Sequence, residues 1–216
     1  MADVLYSTIV SDVQPFVLEC PQPLIVKAIR ETVIELCKTA EIYKYTPAEI
    51  SIVIAQYSYT PVIPTGTRII KYGLVYVGGT QIGFSPWERV LATDLKFNSV
   101  SAQVGTPSVH TYRNLNTLNL HPTPNAVLTL GIVTDVILAP TETSTGVDQV
   151  IVDEYRETIV DGAVRRLTAI PKKTWTDPQM SVLRGNLFRR GVSDAYHRAH
   201  TSNGAVTQTV QLRKFR

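Results

Sequence analysis

The sequence predicts an α+β fold: a helical bundle core, an inserted antiparallel β-domain that is either a sandwich or an open barrel, and an extended C-terminal tail. Two changes of hydrophobic period carry this prediction. Apolar residues recur every three or four positions before about residue 50, cluster in β-branched runs between 50 and 140, and return to helical spacing near 149. The chain has 216 residues, of which 44% are hydrophobic and 18% charged, so it can bury a sizeable core without disulfides or metal.

The first helix is predicted over residues 23–45. Ile25, Ile29, Val33 and Leu36 follow one another at helical spacing and would form one buried stripe. Prolines precede the run, where a missing N–H does no harm, and a further proline follows it. The residue before a proline avoids the helical region, so the helix should end there.

Residues 50–140 are predicted to form short strands. The segments 51–57 and 68–77 are rich in β-branched and aromatic residues, and the pair Gly78-Gly79 after the second supplies a tight turn. Prolines separate the remaining segments. Further strands are expected at 80–84, 108–112, 117–120 and 126–138.

Two more helices are predicted over residues 149–170 and 178–200. The second of them has a strong start, because Asp177 can cap the first turn and Pro178 suits the first helical position. Its expected buried positions are Leu183, Leu187, Val192 and Ala195.

The first helix needs partners for its apolar stripe, and we expect it to pack with the two later helices. This divides the chain into four parts. They are an N-terminal segment with the first core helix (1–48), the inserted β-domain (49–148), the second and third core helices (149–203) and a basic tail (204–216).

The net charge of +3 is unevenly distributed. Residues 165–216 carry eleven basic and two acidic side chains, a net +9, whereas the other 164 residues carry ten basic and sixteen acidic side chains, a net −6. Such polarity suits contact with nucleic acid or with an acidic protein surface. It also suits subunits that meet head to tail around a ring.

Several classes of protein are disfavoured by what the sequence lacks. No apolar run approaches the roughly 20 residues that span a bilayer, and the N-terminus lacks the pattern of a secretory signal. Cys20 and Cys37 have no metal-ligand spacing and are expected to be reduced and buried. No phosphate-binding loop, dinucleotide fingerprint, nucleophile elbow or zinc-protease helix occurs. We therefore expect neither an enzyme nor a cofactor.

Candidate metal ligands are few. His197 and His200 stand three residues apart on the third helix and would share a face, but no third ligand is evident. Exposed histidines on a basic helix are the favoured interpretation.

An acidic stripe is predicted on the second helix. Asp153, Glu157 and Asp161 repeat every four residues, and Arg165 and Arg166 follow. Paired carboxylates can bind metal or exchange protons, but a solvated or interface stripe is far more common. We predict that these five residues form a subunit interface, in which the stripe pairs with the basic third helix of a neighbouring copy.

The basic third helix and the tail form the second candidate surface. They could contact a DNA backbone or an acidic groove on a protein, and the apolar side chains in the tail favour a protein. The residues assigned to this surface are Arg189, Arg190, Arg198, Leu212, Arg213, Lys214, Phe215 and Arg216.

Four segments, in this order, carry a resemblance to a known family. They are the proline pair and amphipathic run at 20–37, the strand and turn at 118–124, the run from 154 to 178, and the following helix with Phe188 and Gly191. Together they resemble the tail-adaptor proteins of the bacteriophage head-to-tail connector, of the tail tubular protein A type. The resemblance covers residues 10–200, and the tail after 204 has no counterpart.

The resemblance implies a structural protein of the virion, made in the host cytoplasm and placed at the head–tail junction. Proteins of this family form a homo-oligomeric ring, commonly dodecameric, between the capsid portal and the tail nozzle. Their helical part faces the portal and the C-terminal segment docks on it, while DNA passes through the lumen without sequence-specific binding. The alternatives are a nucleic-acid-binding protein that uses the basic C-terminal third and, with less support, a hydrolase of unknown type.

Overall fold

Residues 3–97 and 103–201 are described by the computed structural model. Five α-helices occur in this part of the chain: α1 (Val10–Val13), α2 (Gln22–Ala40), α3 (Trp87–Thr93), α4 (Gln149–Thr168) and α5 (Pro178–Thr201). The strands are β1 (Asp3–Leu5), β2 (Lys44–Tyr45), β3 (Ser58–Tyr59), β4 (Thr67–Val77), β5 (Thr80–Phe84), β6 (Val104–Gly105), β7 (Val109–Thr111), β8 (Leu118–His121), β9 (Thr123–Pro124), β10 (Ile132–Pro140) and β11 (Gly146–Asp148).

The main sheet has seven strands in the order β2-β10-β4-β5-β7-β8-β3 and curls into a half-barrel. Its longest pairing joins β4 and β10, with Tyr76 opposite Val133. The register of this pair shifts between Thr134 and Val136, which is the sign of a β-bulge. Bulges bend a strand and increase its twist, so this one favours the curl of the sheet.

The turn between β4 and β5 is the one that the sequence predicts. Gly78 and Gly79 have φ values of +57° and +79°, a region that glycine enters without a steric penalty. The side chains of Leu128 and Leu130 lie against this turn, and a Cβ on Gly78 would come within 2.9 Å of Leu128 Cδ1. The hairpin therefore needs glycine for both its backbone and its neighbours.

The helices form a layer beside the sheet. Helix α2 contacts β10 and also packs on α4 and α5, which contact each other along their length. Two glycines of these helices allow the close approach. A Cβ on Gly162 would lie 2.3 Å from Thr32 Cγ2 of α2, and a Cβ on Gly191 would lie 2.4 Å from Thr158 Oγ1 of α4.

The predicted helical bundle core is wrong. The three long helices touch, but their buried residues belong to one continuous apolar cluster that includes the inner face of the curled sheet, such as Ile69, Val75 and Leu138. The predicted inserted antiparallel β-domain is wrong as well, because the sheet is mixed. β5 pairs parallel with β7, with Gly83 opposite Val109, and β6 pairs parallel with β9.

The physical reason is that a hydrophobic period indicates the type of an element and not its partner. The chain between β5 and β7 passes through α3 instead of a tight turn. A connection of this length can return the next strand in the parallel sense. The division of the chain at residues 48, 148 and 203 stays a prediction, and the expected extended tail 204–216 lies outside the described residues.

Individual elements agree with the sequence prediction to different degrees. Helices α4 and α5 lie within two residues of the predicted ranges. Helix α2 ends at Ala40 and not at 45, because Glu41 adopts a left-handed φ of +53° and begins the turn into β2. The segment 51–57 is not a strand; Val53 and Ile54 are exposed there, and β10 begins at Ile132 and not at 126.

Candidate assembly surface

The start of α5 is fixed by its first residues. The Asp177 carboxylate accepts a hydrogen bond of 2.9 Å from the backbone N–H of Met180, and Pro178 occupies the first helical position. This is the capping arrangement expected from the sequence. The buried residues that follow are Gly185, Phe188, Val192 and Ala195.

The buried face of α5 is rotated from the predicted one. Val192 and Ala195 are buried as expected, but Leu183 and Leu187 are 55% and 42% exposed. Phe188 fills the core, where its ring lies under the Arg165 guanidinium at 4.7 Å. Successive helical residues are about 100° apart, so Leu187 points away from the layer that Phe188 enters.

Apolar and basic side chains therefore share the outer surface of α5. We define this α5 surface by the exposed residues Val182, Leu183, Leu187, Arg189, Arg190, Tyr196 and Arg198; the exposed carboxylate of Asp194 lies among them, four residues from Arg190 and from Arg198. Large apolar side chains grouped with arginine are typical of protein interfaces.

The three arginines of the α5 surface form no ion pair in the described part of the chain. The Arg189 guanidinium donates to Asn186 Oδ1 at 2.8 Å and to the carbonyl of Gly185 at 3.3 Å, which holds it along the helix. Arg190 and Arg198 form no ion pair with the described residues. Arg190 and Arg198 line a cleft of about 340 Å³ together with the carboxylates of Glu154, Glu157 and Asp194, so the charge of this part of the surface is mixed.

A cleft of about 480 Å³ adjoins this surface. Phe16, Val160 and Leu187 form its apolar lining. Two ion pairs of 2.6 Å border it, Arg156 with Asp12 and Arg184 with Asp161. The Arg184 guanidinium also lies 4.1 Å from the centre of the Phe16 ring. The cleft continues the apolar part of the α5 surface toward the N-terminal segment.

Three of the five predicted interface residues are bonded within their own chain. Arg165 pairs with Glu35 at 2.8 Å, and Arg166 pairs with Glu35 at 2.6 Å and with Glu31 at 3.1 Å. These bonds attach the end of α4 to α2. Asp161 pairs with Arg184, as described above.

Asp153 and Glu157, the remaining members of the predicted interface, are exposed. Glu157 lines the apolar cleft, beside the ion pairs that border it. The role of all five residues in a subunit interface stays a prediction. Sequence reasoning missed Glu31 and Glu35, although their spacing of four residues on a helix was a readable signal.

Five members of the predicted portal-binding surface belong to the tail. Leu212, Arg213, Lys214, Phe215 and Arg216 lie outside the described residues, and their role stays a prediction. Arg189, Arg190 and Arg198 are placed together with the exposed apolar residues of α5, a combination that sequence reasoning did not foresee because it expected Leu183 and Leu187 to be buried.

The cysteines and histidines considered above as possible metal ligands do not form a metal site in the described part of the chain. Cys20 and Cys37 are both free and buried, as expected, and burial raises the pKa of the Cys37 thiol to about 12. His200 contacts Glu41, and no group of three His, Cys, Asp or Glu side chains that could hold a metal occurs among the described residues.

None of the described helices is long and apolar enough to cross a membrane.

Comparison of the chain with protein-family models and with curated proteins finds no match.

Proposed function

We propose that the protein is a structural adaptor of a phage head-to-tail connector, in which a ring of copies lies under the portal, joins the capsid to the tail and leaves a channel for DNA. The observation that supports this best is the α5 surface, where exposed leucines, a valine and a tyrosine accompany three arginines that form no ion pair in the described part of the chain. A surface of this kind on a long, well-anchored helix suits protein docking better than catalysis.

The anchoring of α5 also suits an adaptor. The helix is capped at its start, buries Phe188 against α2 and α4, and is bonded to α4 through Arg184 and Asp161. A rigid helix presents its outer side chains with little loss of conformational entropy on binding. The partner of the α5 surface would be an acidic, partly apolar face of the portal.

Nucleic-acid binding by the basic C-terminal third is the alternative. The same three arginines could contact phosphates, and such contacts would make binding fall steeply with salt. The exposed apolar residues between the arginines favour the protein partner, because phosphate contacts gain nothing from leucine side chains.

The test is co-purification with the portal protein of the phage that encodes the chain. The variant Arg189→Ala/Arg190→Ala/Arg198→Ala should bind the portal at least about tenfold more weakly, since three charged contacts at an interface are lost. The control Lys38→Ala/Arg89→Ala/Arg113→Ala removes the same charge from exposed positions elsewhere and should bind like the wild type. Equal binding by both variants would refute the role of the α5 surface.

The tail is tested in the same assay. Removal of residues 204–216 should weaken portal binding, and Leu212→Ala/Phe215→Ala separates apolar anchoring from charge when binding is compared at two salt concentrations. Duplex DNA serves as the competing probe. Tight, salt-sensitive binding to DNA without binding to the portal would favour the alternative function.

A further inference from the structure

Two exposed lysines stand in the turn that joins α4 to α5. Neither Lys172 nor Lys173 forms an ion pair with a described residue. The acid of this turn, Asp177, accepts a hydrogen bond from the backbone N–H of Met180 and caps α5. The turn at 169–177 thus carries two basic side chains and one acidic side chain, a net +1.

Hydrogen bonds hold the turn in one conformation. Thr176 Oγ1 accepts from the backbone N–H of Lys173 at 2.9 Å and donates to the carbonyl of Ile170 at 2.5 Å. The N–H of Asp177 donates to the carbonyl of Thr168 at 3.0 Å, which ties the turn to the last residue of α4. A preorganised surface of this kind loses little conformational entropy when it binds.

A groove lies between α4 and α5, away from this turn. The clefts of about 480 Å³ and 340 Å³ share Glu157, Asp161 and Leu187 in their linings, so together they form one groove, which we call the α4–α5 groove. Its apolar lining is incompletely covered, since Phe16 and Leu187 are 39% and 42% exposed. Exposed apolar side chains in a concave surface with a polar rim are typical of a docking site.

The charge of the α4–α5 groove is opposite to that of the turn. Two of its carboxylates are already paired within the chain, Asp12 with Arg156 and Asp161 with Arg184. The charged side chains that remain in its lining form no ion pair with the described residues and sum to −1; they are Glu154, Glu157, Asp194, Arg190 and Arg198. A positive turn and a negative groove are complementary.

The turn and the groove of one molecule cannot meet. Asp194 lies about 24 Å along α5 from Pro178, at 1.5 Å per residue. Helices α4 and α5 pack along their length, and the turn is bonded to the end of α4, so this separation is fixed. The turn can therefore enter only the groove of another copy.

We infer that the α4–α5 turn of one copy docks in the α4–α5 groove of the next, with Lys172 and Lys173 facing Glu157 and Asp194 and with the exposed Pro171 against the apolar lining. Contacts between two different surfaces of the same chain are heterologous, and they generate a ring where the rotation between copies closes. The inference rests on the ring proposed above and names the surfaces by which its copies meet.

Sedimentation velocity of the protein alone, over rising concentration, measures self-association, and a charge exchange tests the two surfaces. Lys172→Glu/Lys173→Glu and Glu157→Lys/Asp194→Lys should each associate at least about tenfold more weakly than the wild type, because like charges then meet. An equimolar mixture of the two variants should recover association, because each reversed surface finds its complement on the other variant.

Arg89→Glu/Arg113→Glu is the matched control, since it reverses two exposed positive charges outside α4, α5 and their turn. It should associate like the wild type, and circular dichroism of every variant checks the fold. A wild-type protein that stays monomeric up to about 1 mM, or a mixture that associates no better than its components, would overturn the inference. The assay contains no portal, so association without portal binding would refute the adaptor role and leave the turn-to-groove contact standing.

Discussion

Gly162 lies where α4 crosses α2 and α5. A Cβ at this position would come within 2.3 Å of Thr32 Cγ2 and 2.7 Å of Phe188 Cδ2, and both neighbours are buried. These buried neighbours have no room to move away from an added Cβ. Small residues at such crossings therefore set the distance between helices, and that distance positions α5.

We expect Gly162→Ala to lower the free energy of unfolding by about 1–3 kcal/mol, the usual effect of overpacking, despite the better helix propensity of alanine. Gly83→Ala is the control, since nothing lies within 4 Å of a Cβ built there. Urea unfolding of both variants measures the difference. A Gly162→Ala protein as stable as the wild type would show that the helices are not in close contact.

Buried phenols and a buried thiol make the fold sensitive to alkali. Burial raises the pKa of Tyr6, Tyr43 and Cys37 to about 12 each, because the charged forms are poorly solvated. A raised pKa in the folded state means that the stabilisation is complete below the unfolded value and is lost as pH rises toward the folded one. Unfolding should therefore occur between about pH 10 and 12.

The measurement is a titration that follows phenolate absorbance and circular dichroism together. The two signals should change in one step for the buried tyrosines. Tyr6→Phe should shift the midpoint upward while it lowers stability near neutrality, since the 3.1 Å hydrogen bond to Ser144 is lost. Ionisation of all tyrosines near pH 10, with the fold retained, would contradict this account.

At the scale of the element, the orientation of α5 decides which side chains are free to bind partners. Phe188 is buried and Leu187, the residue before it, is partly exposed. Phe188→Ala should lower the free energy of unfolding by about 3–5 kcal/mol. Leu187→Ala should change it by less than about 1 kcal/mol. Thermal or urea unfolding separates the two, and equal losses would mean that the helix is rotated toward the face that the sequence predicts.

The sequence predicted the positions of the helices well, but it predicted less well which side of each helix is buried. Periodicity located α4 and α5 within two residues, and the cap at Asp177 was readable. The buried face of α5 was misassigned because apolar residues occur around much of the helix. Leu183, Leu187, Phe188 and Val192 do not lie on one stripe, and only the packing against α2 and α4 selects Phe188.

Strands were harder to place for a related reason. Composition suggested a strand at 51–57, yet this segment meets the strands only at single points. The Ala55 N–H donates to the carbonyl of Pro124, the Leu120 N–H donates to the carbonyl of Tyr57, and Ile50 forms an isolated bridge with Ile132. β-propensity reports how well a side chain suits a half-buried pleated surface, and isolated hydrogen bonds to neighbouring strands do not supply such a surface.

At the scale of the whole molecule, the sheet order and the single core could not be predicted from local pattern. The parallel return of β7 beside β5 depends on how the chain through α3 packs. The candidate surface was predicted in part. The basic residues of α5 were named from the charge split, whereas the apolar half became evident only from exposure, and the ion pairs of Arg165 and Arg166 with α2 needed the tertiary structure.

The uneven distribution of charge along the sequence can be followed in the structure. Arg165, Arg166 and Arg184 are neutralised by Glu31, Glu35 and Asp161 within the molecule. Arg189, Arg190 and Arg198, farther along α5, form no ion pair with the described residues, although Glu154, Glu157 and Asp194 line a cleft with the last two. A molecule that is polar in this way suits heterologous contacts, in which one surface meets a different surface of the next copy.

A cryo-EM reconstruction of the protein bound to its portal would show whether the α5 surface is an assembly interface. We expect a closed ring in which adjacent copies touch and in which Leu183, Leu187 and Arg190 are buried against another protein chain. Adjacent copies that make no contact, or a bound protein whose α5 surface faces solvent, would contradict it.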